Sequence, residues 1–337
     1  MLLAVSFAAV ACADEPAGEV SRRGRLGSFR DLVLVERPTL GAAGGLFVDR
    51  FEVTRSDWSE FAASEPGRAI GARDVAADGK PTLPIGIIDL AQARSFAHWR
   101  LLRLPRLDEW RFASVGSGSS LFPWGDRVDL ARANTGELGL GEATPVGTFE
   151  SGRRASGDQP YDLVGNVSEW TETVAPDWWR DRADATMPSI GAAVARDEVR
   201  RRPGLMVWQG VGGLVPPVWI AMAGGASVPR YVVGSDFQSE MKVDVEEVPA
   251  GDRRLRTGFR LYSTPVEVVQ ALCADTGPID PADEEQMRRF LRRGRHREAL
   301  VGAWSRLVAN GVVLSVEHPL GRLLQQELFS GSAPTGR

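Results

Sequence analysis

Only two cysteines, Cys12 and Cys273, and only three histidines occur in the 337 residues. The first scarcity excludes a disulfide framework and any paired Cys-x-x-Cys metal or redox motif. The second leaves few groups able to exchange protons near neutral pH. Tyrosine is equally rare at three, against ten tryptophans, so the aromatic content favours indole-rich packing over titratable chemistry. No excess of basic charge exists: the net charge of -4 removes the electrostatic footprint that nucleic-acid binding needs. A phosphate-binding glycine loop with lysine and a nucleophile elbow are also missing.

What is present begins with an apolar start. Residues 1–11, MLLAVSFAAVA, are uncharged and too short to cross a bilayer as a helix, and they run into Cys12-Ala13-Asp14. Ala9 and Ala11 just before Cys12 resemble a bacterial lipoprotein processing site. Residues 1–12 are therefore expected to be an export signal with lipidation at Cys12, placing the protein in the periplasm or on the cell surface. A plain cleaved secretory signal or a frayed N-terminus is the alternative. Residues 13–30, rich in Ala, Gly, Glu and Arg without periodicity, suit a tether.

From Asp31 to about Tyr262, short apolar runs alternate with Gly and Pro breaks and no repeat, the pattern of a domain dominated by loops and short elements. Leu46-Phe47-Val48 reads as a strand and Ser56 to Ala63, with Trp58 and Phe61, as a short helix. Asp89 caps a second helix to Trp99, and Asp108 to Ala113 begins a third. Glu52, Glu109 and Glu169 each lie in or beside apolar runs, where a carboxylate persists only if paired; Arg103 and Arg260 are the expected partners. His98, inside Phe96-Ala97-His98-Trp99, is expected to be packed.

The order of the motifs carries a family resemblance. Phe51-Glu52-Val53-Thr54, the helix ending in Arg103-Leu104-Pro105 with Glu109-Trp110, and Pro123-Trp124-Gly125-Asp126 are followed by Ala133-Asn134-Thr135 and Thr144-Pro145-Val146-Gly147. Then come Tyr161-Asp162-Leu163-Val164-Gly165-Asn166-Val167-Ser168-Glu169-Trp170, Gly224-Gly225 and Gly258-Phe259-Arg260. Residues 31–264 thereby resemble the formylglycine-generating enzyme, or sulfatase-modifying factor, family. The resemblance implies an α+β, low-regularity, C-type lectin-like fold.

It also implies where the chemistry departs. The cysteine pair that binds copper in the family's enzymes would fall near Pro229 and Gly234, neither of which can ligate it; Cu(I) selects thiolates and thioethers. The scattered His98, His296 and His318 do not suit the iron of the sulfoxide synthase branch. Neither copper nor iron is expected, and the domain reads as a pseudoenzyme acting as a binding or structural module. Its ligand, a peptide, protein or glycan, would meet Arg230, Tyr231, Asp236 and Gln238 in a groove near Val228 to Phe237. The alternative is a divergent enzyme of the same superfamily with an altered site. The family's structural Ca²⁺ would be held by Asp162 and Asn166 with the carbonyls of Leu163 and Gly165, and at a second site near Asn134 and Thr135. Asp162 and Asn166 that merely cap a turn are the alternative.

Residues 265–337 lie outside the resemblance and are expected to form a helical C-terminal extension. Asp280-Pro281 opens a helix that runs to Asn310-Gly311, and Arg288, Arg289, Arg292, Arg293, Arg295 and Arg297 give it a basic face, either solvated or a docking surface for a partner or anionic lipid. Cys273 reads as a small buried thiol.

Overall fold

The computed structural model describes residues 24–36, 44–75, 79–116, 120–154, 159–174, 206–208, 213–215, 229–233, 236–238, 245–249, 253 and 256–330. The signal, Cys12 and most of the tether lie outside these residues, as do Val228 and Gly234. Among the described residues, no helix is long and apolar enough to cross a membrane.

Two small sheets organise the domain. Strand β1 (Leu32–Val35) pairs antiparallel with β2 (Leu46–Asp49), from Leu32 opposite Asp49 to Val35 opposite Leu46. β2 then pairs with a two-residue strand, Tyr262–Ser263, far along the chain. The second sheet is built on Ser168–Val174, here β3. Numbering the later strands in chain order gives β4 (Met206–Trp208), β5 (Gly213–Val215), β6 (Pro229–Val233), β7 (Val245–Pro249), β8 (Thr257–Gly258) and β9 (Tyr262–Ser263). Its order is β7-β6-β3-β8, antiparallel except for β3 and β8, while β4 and β5 pair only with each other. Strands of two to seven residues cannot bury enough apolar surface by themselves, so helices must close the core.

Helix α1 (Arg55–Ala63) begins at a reciprocal cap: Thr54 Oγ1 accepts the Asp57 N–H and the Asp57 carboxylate accepts that of Thr54. After the short α2 (Glu65–Ala69), helix α3 (Leu90–Trp99) starts at an Asp89–Gln92 cap of the same kind. Trp58 and Phe61 meet Phe96 at ring-centroid distances of 6.0 and 5.4 Å, and Phe96 also packs on Phe259. Each such ring removed from water contributes about 1.5–3 kcal/mol. His98 is exposed, contrary to its expected packing. On a 3.6-residue period Ala93, Phe96 and Ala97 hold the inner face of α3, and His98 shares the outer one with Arg94. Helix α4 (Leu107–Val115) ends at Gly116, whose φ of 74° only glycine adopts without strain.

The C-terminal extension contains α5 (Pro265–Ala274), α6 (Pro281–Arg292), α7 (Gly294–Ala309) and α8 (Pro319–Phe329). The single helix expected from Asp280 to Asn310 is in fact two. Arg293 adopts extended backbone (φ -62°, ψ 123°) and donates to the carbonyls of Leu32 and Arg30, which breaks the helix against β1. The extension does not form a separate core: Phe29, Phe47, Phe96 and Phe259 belong to the same buried cluster as Met287, Phe290, Leu300 and Leu324. The end of the expected tether belongs to it too, because residues 24–30 are folded, with Leu26 and Phe29 fully buried.

The expected basic face is laced with ion pairs but remains solvated, Arg289, Arg292 and Arg295 being 76%, 63% and 75% exposed. Arg288 and Arg292 both hold Glu327, Arg289 pairs with Glu285 and Arg295 with Glu36, while Arg297 donates to the Leu328 carbonyl. Cys273 is buried as expected, and burial pushes its thiol up to about 11.

His296 is sealed between Phe47 (5.1 Å between ring centroids) and Phe290 (4.9 Å), with Nδ1 buried and without a partner. Burial, and then the nearby Arg293 charge, hold it neutral down to about pH 4. The unfolded chain takes up this proton near pH 6.5, so the contribution is present above that value and lost as pH falls toward 4, by up to about 3 kcal/mol. Urea unfolding at pH 7.0 and 4.5 should therefore show a smaller loss on acidification in His296→Phe than in the wild type; equal losses would refute this assignment.

Candidate functional site

The stretch Tyr161 to Trp170 enters β3 through a loop with three left-handed residues, Asp162 (φ 52°), Gly165 (φ 82°) and Asn166 (φ 64°). Aspartate and asparagine tolerate that region better than other side chains because they bond locally to the backbone. A Cβ on Gly165 would collide with the Asn134 carbonyl, which itself accepts the Asn166 N–H at 2.8 Å.

Asn166 is the hub. Its Nδ2 donates to Glu52 Oε2 at 2.6 Å, and its Oδ1 accepts the N–H of Thr144 at 2.9 Å and Asn134 Nδ2 at 3.4 Å. Asp162 Oδ2 accepts the Gly147 N–H at 2.7 Å. Glu52 Oε1 takes the Val167 N–H at 3.1 Å. Four motif segments separated in sequence are thus tied at one point.

The floor beneath is a set of ion pairs. Arg260 Nε donates to Glu169 Oε1 at 2.6 Å and Nη2 to the Asp162 carbonyl at 3.2 Å, while Trp110 Nε1 donates to Glu169 Oε2 at 2.9 Å. Arg103 grips Glu109 at 2.6 and 2.7 Å and Glu267 at 2.9 Å. The arginine partners expected from the sequence are therefore Arg260 for Glu169 and Arg103 for Glu109; Glu52 is held by an amide instead.

Three buried carboxyls, Glu52, Asp162 and Glu169, share Arg260 as the cation acting on all of them. Burial pushes Glu52 well above the usual carboxylate range, with Asp162 adding repulsion, and raises Asp162 to about 6; Glu169 also rises despite its arginine. Nearby, Asn134 Oδ1 and Thr135 Oγ1 are buried without hydrogen-bond partners. Excess acid and orphaned oxygens suit a hard, oxygen-seeking cation. Asn166 fits that role least, since its amide is already fully engaged. Among the described residues, no group of three or more His, Cys, Asp or Glu side chains is placed to hold a metal ion, so the case for calcium rests on amide, hydroxyl and carbonyl oxygens together with Asp162.

The expected ligand groove is only partly described. Arg230 and Tyr231 lie on β6, opposite Val248 and Glu247 of β7, and their side chains fall outside the described ones. Asp236 is buried, and both its oxygens accept from Arg256 at 2.9 Å while Oδ1 also accepts the Gln238 N–H at 2.8 Å. It braces the loop and is not presented to a ligand. Gln238 is exposed. The Phe237 N–H donates to the Asn166 carbonyl at 3.2 Å, so this loop joins the same hub. Sequence reasoning passed over Arg256, a basic residue two before Gly258, because its partner is twenty residues away.

Comparison with known proteins is in register with these contacts. The family described as "Sulfatase-modifying factor enzyme 1-like domain" matches residues 42–264. The formylglycine-generating enzyme of Mycobacterium tuberculosis is 31% identical over 133 residues, 35% of this chain and 43% of that protein. The bovine "Inactive C-alpha-formylglycine-generating enzyme 2" is 32% identical over 130 residues, 35% of this chain and 39% of that protein. The chain thus spans less than half the length of these relatives. Among solved structures, PvdO from Pseudomonas aeruginosa is similar over 65% of this chain and 80% of its own, with 17% identity and a TM-score of 0.41. The family match runs over more than half of the chain and takes in the whole Glu52–Asn166–Arg260 framework, and the chain belongs to the sulfatase-modifying factor family, that of the formylglycine-generating enzymes.

Proposed function

We propose that this chain is an exported, lipid-anchored and non-catalytic member of its family that binds a peptide, protein or glycan. One observation carries the reading: no pair of thiols exists. Of the two cysteines in the sequence, Cys12 lies before the family domain, and Cys273 lies beyond it on α5, 3% exposed, with its thiol raised to about 11. A thiolate is both the copper ligand and the nucleophile, and a buried neutral thiol is neither. Pro229 and Gly234 occupy the positions that resemble the enzymes' pair. That the family includes a bovine protein described as inactive supports a scaffold retained without the reaction.

The scaffold's integrity is itself consistent with a binding role, because Glu52, Glu109, Glu169, Arg103 and Arg260 are all held by internal partners and none is offered to solvent chemistry. Structural calcium belongs to the same reading. Asp162 and Asn166 with the carbonyls of Leu163 and Gly165 would hold one ion, and Asn134 and Thr135 would offer their orphaned oxygens to a second.

Three outcomes are expected. Purified protein, given copper, oxygen and a sulfatase-type cysteine peptide, should form no aldehyde above a no-protein control by hydrazide capture; turnover at an enzymatic rate would overturn the proposal. In bacterial cells fed an alkynyl palmitate, the wild type should be tagged and Cys12→Ala should not; an untagged cytosolic wild type would remove the anchor. Chelation should lower the melting temperature by several degrees, the shift expected for one or two kcal/mol in a domain of this size, and Asp162→Ala should abolish the sensitivity. A melt indifferent to chelator would exclude structural calcium.

A further inference from the structure

The helical extension carries an exposed apolar edge. Helix α7 ends at Gly311, whose φ of 77° lets the Val312 N–H reach back to the Leu307 carbonyl at 3.0 Å and the Gly311 N–H to that of Val308. The turn projects valines into solvent: Val308 is 53% exposed, Val312 37% and Val313 94%, the most exposed large hydrophobic side chain among the described residues. Trp304, half-buried, packs edge-on against the partly exposed Phe329 beside them. From Ala299 to Val316 the sequence contains no carboxylate, and its one charge is Arg306, which is exposed and makes no ion pair among the described residues.

Gly24 and Arg25, the first described residues, lie at the same end of the extension. Arg25 is clamped by Asp275, just past α5, and donates to the Pro278 carbonyl at 3.3 Å. Two residues back, the Cys273 Cα lies 3.3 Å from where a Gly321 Cβ would sit on α8, and that Cβ would also meet the Ser315 carbonyl, two residues past Val313. Eleven residues separate Cys12 from Gly24, an extended reach of at most about 40 Å.

We infer that the 308–316 edge is a lipid-facing surface that docks on a phospholipid bilayer. The inference takes its proximity to the membrane from the anchor proposed at Cys12, but the contact is of its own kind. Valines at a loop tip insert among acyl chains, an indole lies at the interface, and Arg306, which makes no ion pair among the described residues, meets the lipid phosphates. Burial of a valine side chain is worth about a tenfold change in partitioning.

The test uses the full chain. A Cys12→Ser, Val313→Cys protein is labelled at residue 313 with a nitrobenzoxadiazole dye, Cys273 being buried, and mixed with phosphatidylglycerol–phosphatidylethanolamine vesicles. The dye should brighten and be quenched by spin-labelled lipid. In vesicle sedimentation, Val312→Asp/Val313→Asp should partition at least about tenfold more weakly than the Cys12→Ser parent, with an unchanged melting temperature because both sites are exposed. A dye that stays aqueous, or partitioning indifferent to the two aspartates, would overturn the inference even if Cys12 proves acylated. Vesicle entry by a chain that cells never acylate would keep the surface and remove the anchor. Burial of the dye without vesicles, growing with protein concentration, would assign the edge to a second copy of the chain and overturn a lipid role.

Discussion

The structure depends on one fully buried guanidinium. Arg260 has no exposed surface, and it binds Glu169 by an ion pair and the Asp162 loop by a carbonyl contact. Removing one member of such a pair leaves an uncompensated buried charge, at a cost of about 3–5 kcal/mol. Its surroundings are arranged accordingly: Trp110 satisfies the second oxygen of Glu169, and Asn166 satisfies Glu52. In a domain whose strands are two to seven residues long, this polar knot does what a long hydrogen-bonded sheet does elsewhere. It fixes the relative position of loops that have no ladder to hold them.

That knot ties together the motif segments by which the family is recognised. The carboxylates that the sequence places in apolar runs find their partners within the protein, as that placement requires. Burial is the first cause of each raised proton affinity, with repulsion from Asp162 second for Glu52 alone, and perturbed titration by itself does not distinguish a support from a catalyst.

The helical extension is a second constraint. Phe290 meets Phe29 at 5.1 Å and Phe47 at 5.2 Å, so the first sheet is covered by helices whose residues lie more than 230 positions later. Arg293 reaches the Leu32 and Arg30 carbonyls and Arg25 reaches Asp275, so the extension is fastened at two points to the first described residues of the chain. Folding of the family domain and of the extension is therefore coupled through shared core residues.

Much of this was legible in the sequence. The caps at Asp89 and Asp280 and the aromatic spacing of the early helices are local properties, set within one or two turns, and they stand where the residues place them. The arginine–glutamate framework was readable because a charge within an apolar run has to find a partner. The missing cysteine pair was decided by composition alone. Tertiary structure decided the rest: that His98 faces out, that Arg293 breaks a helix the periodicity would continue, that Arg288 and Arg292 converge on Glu327 and that Asp236 is engaged by Arg256. Each depends on a neighbour distant in sequence. A side chain's chemistry is fixed by its type, but whether it is a support, a ligand or a surface depends on which atoms the folded chain brings within about 3 Å of it.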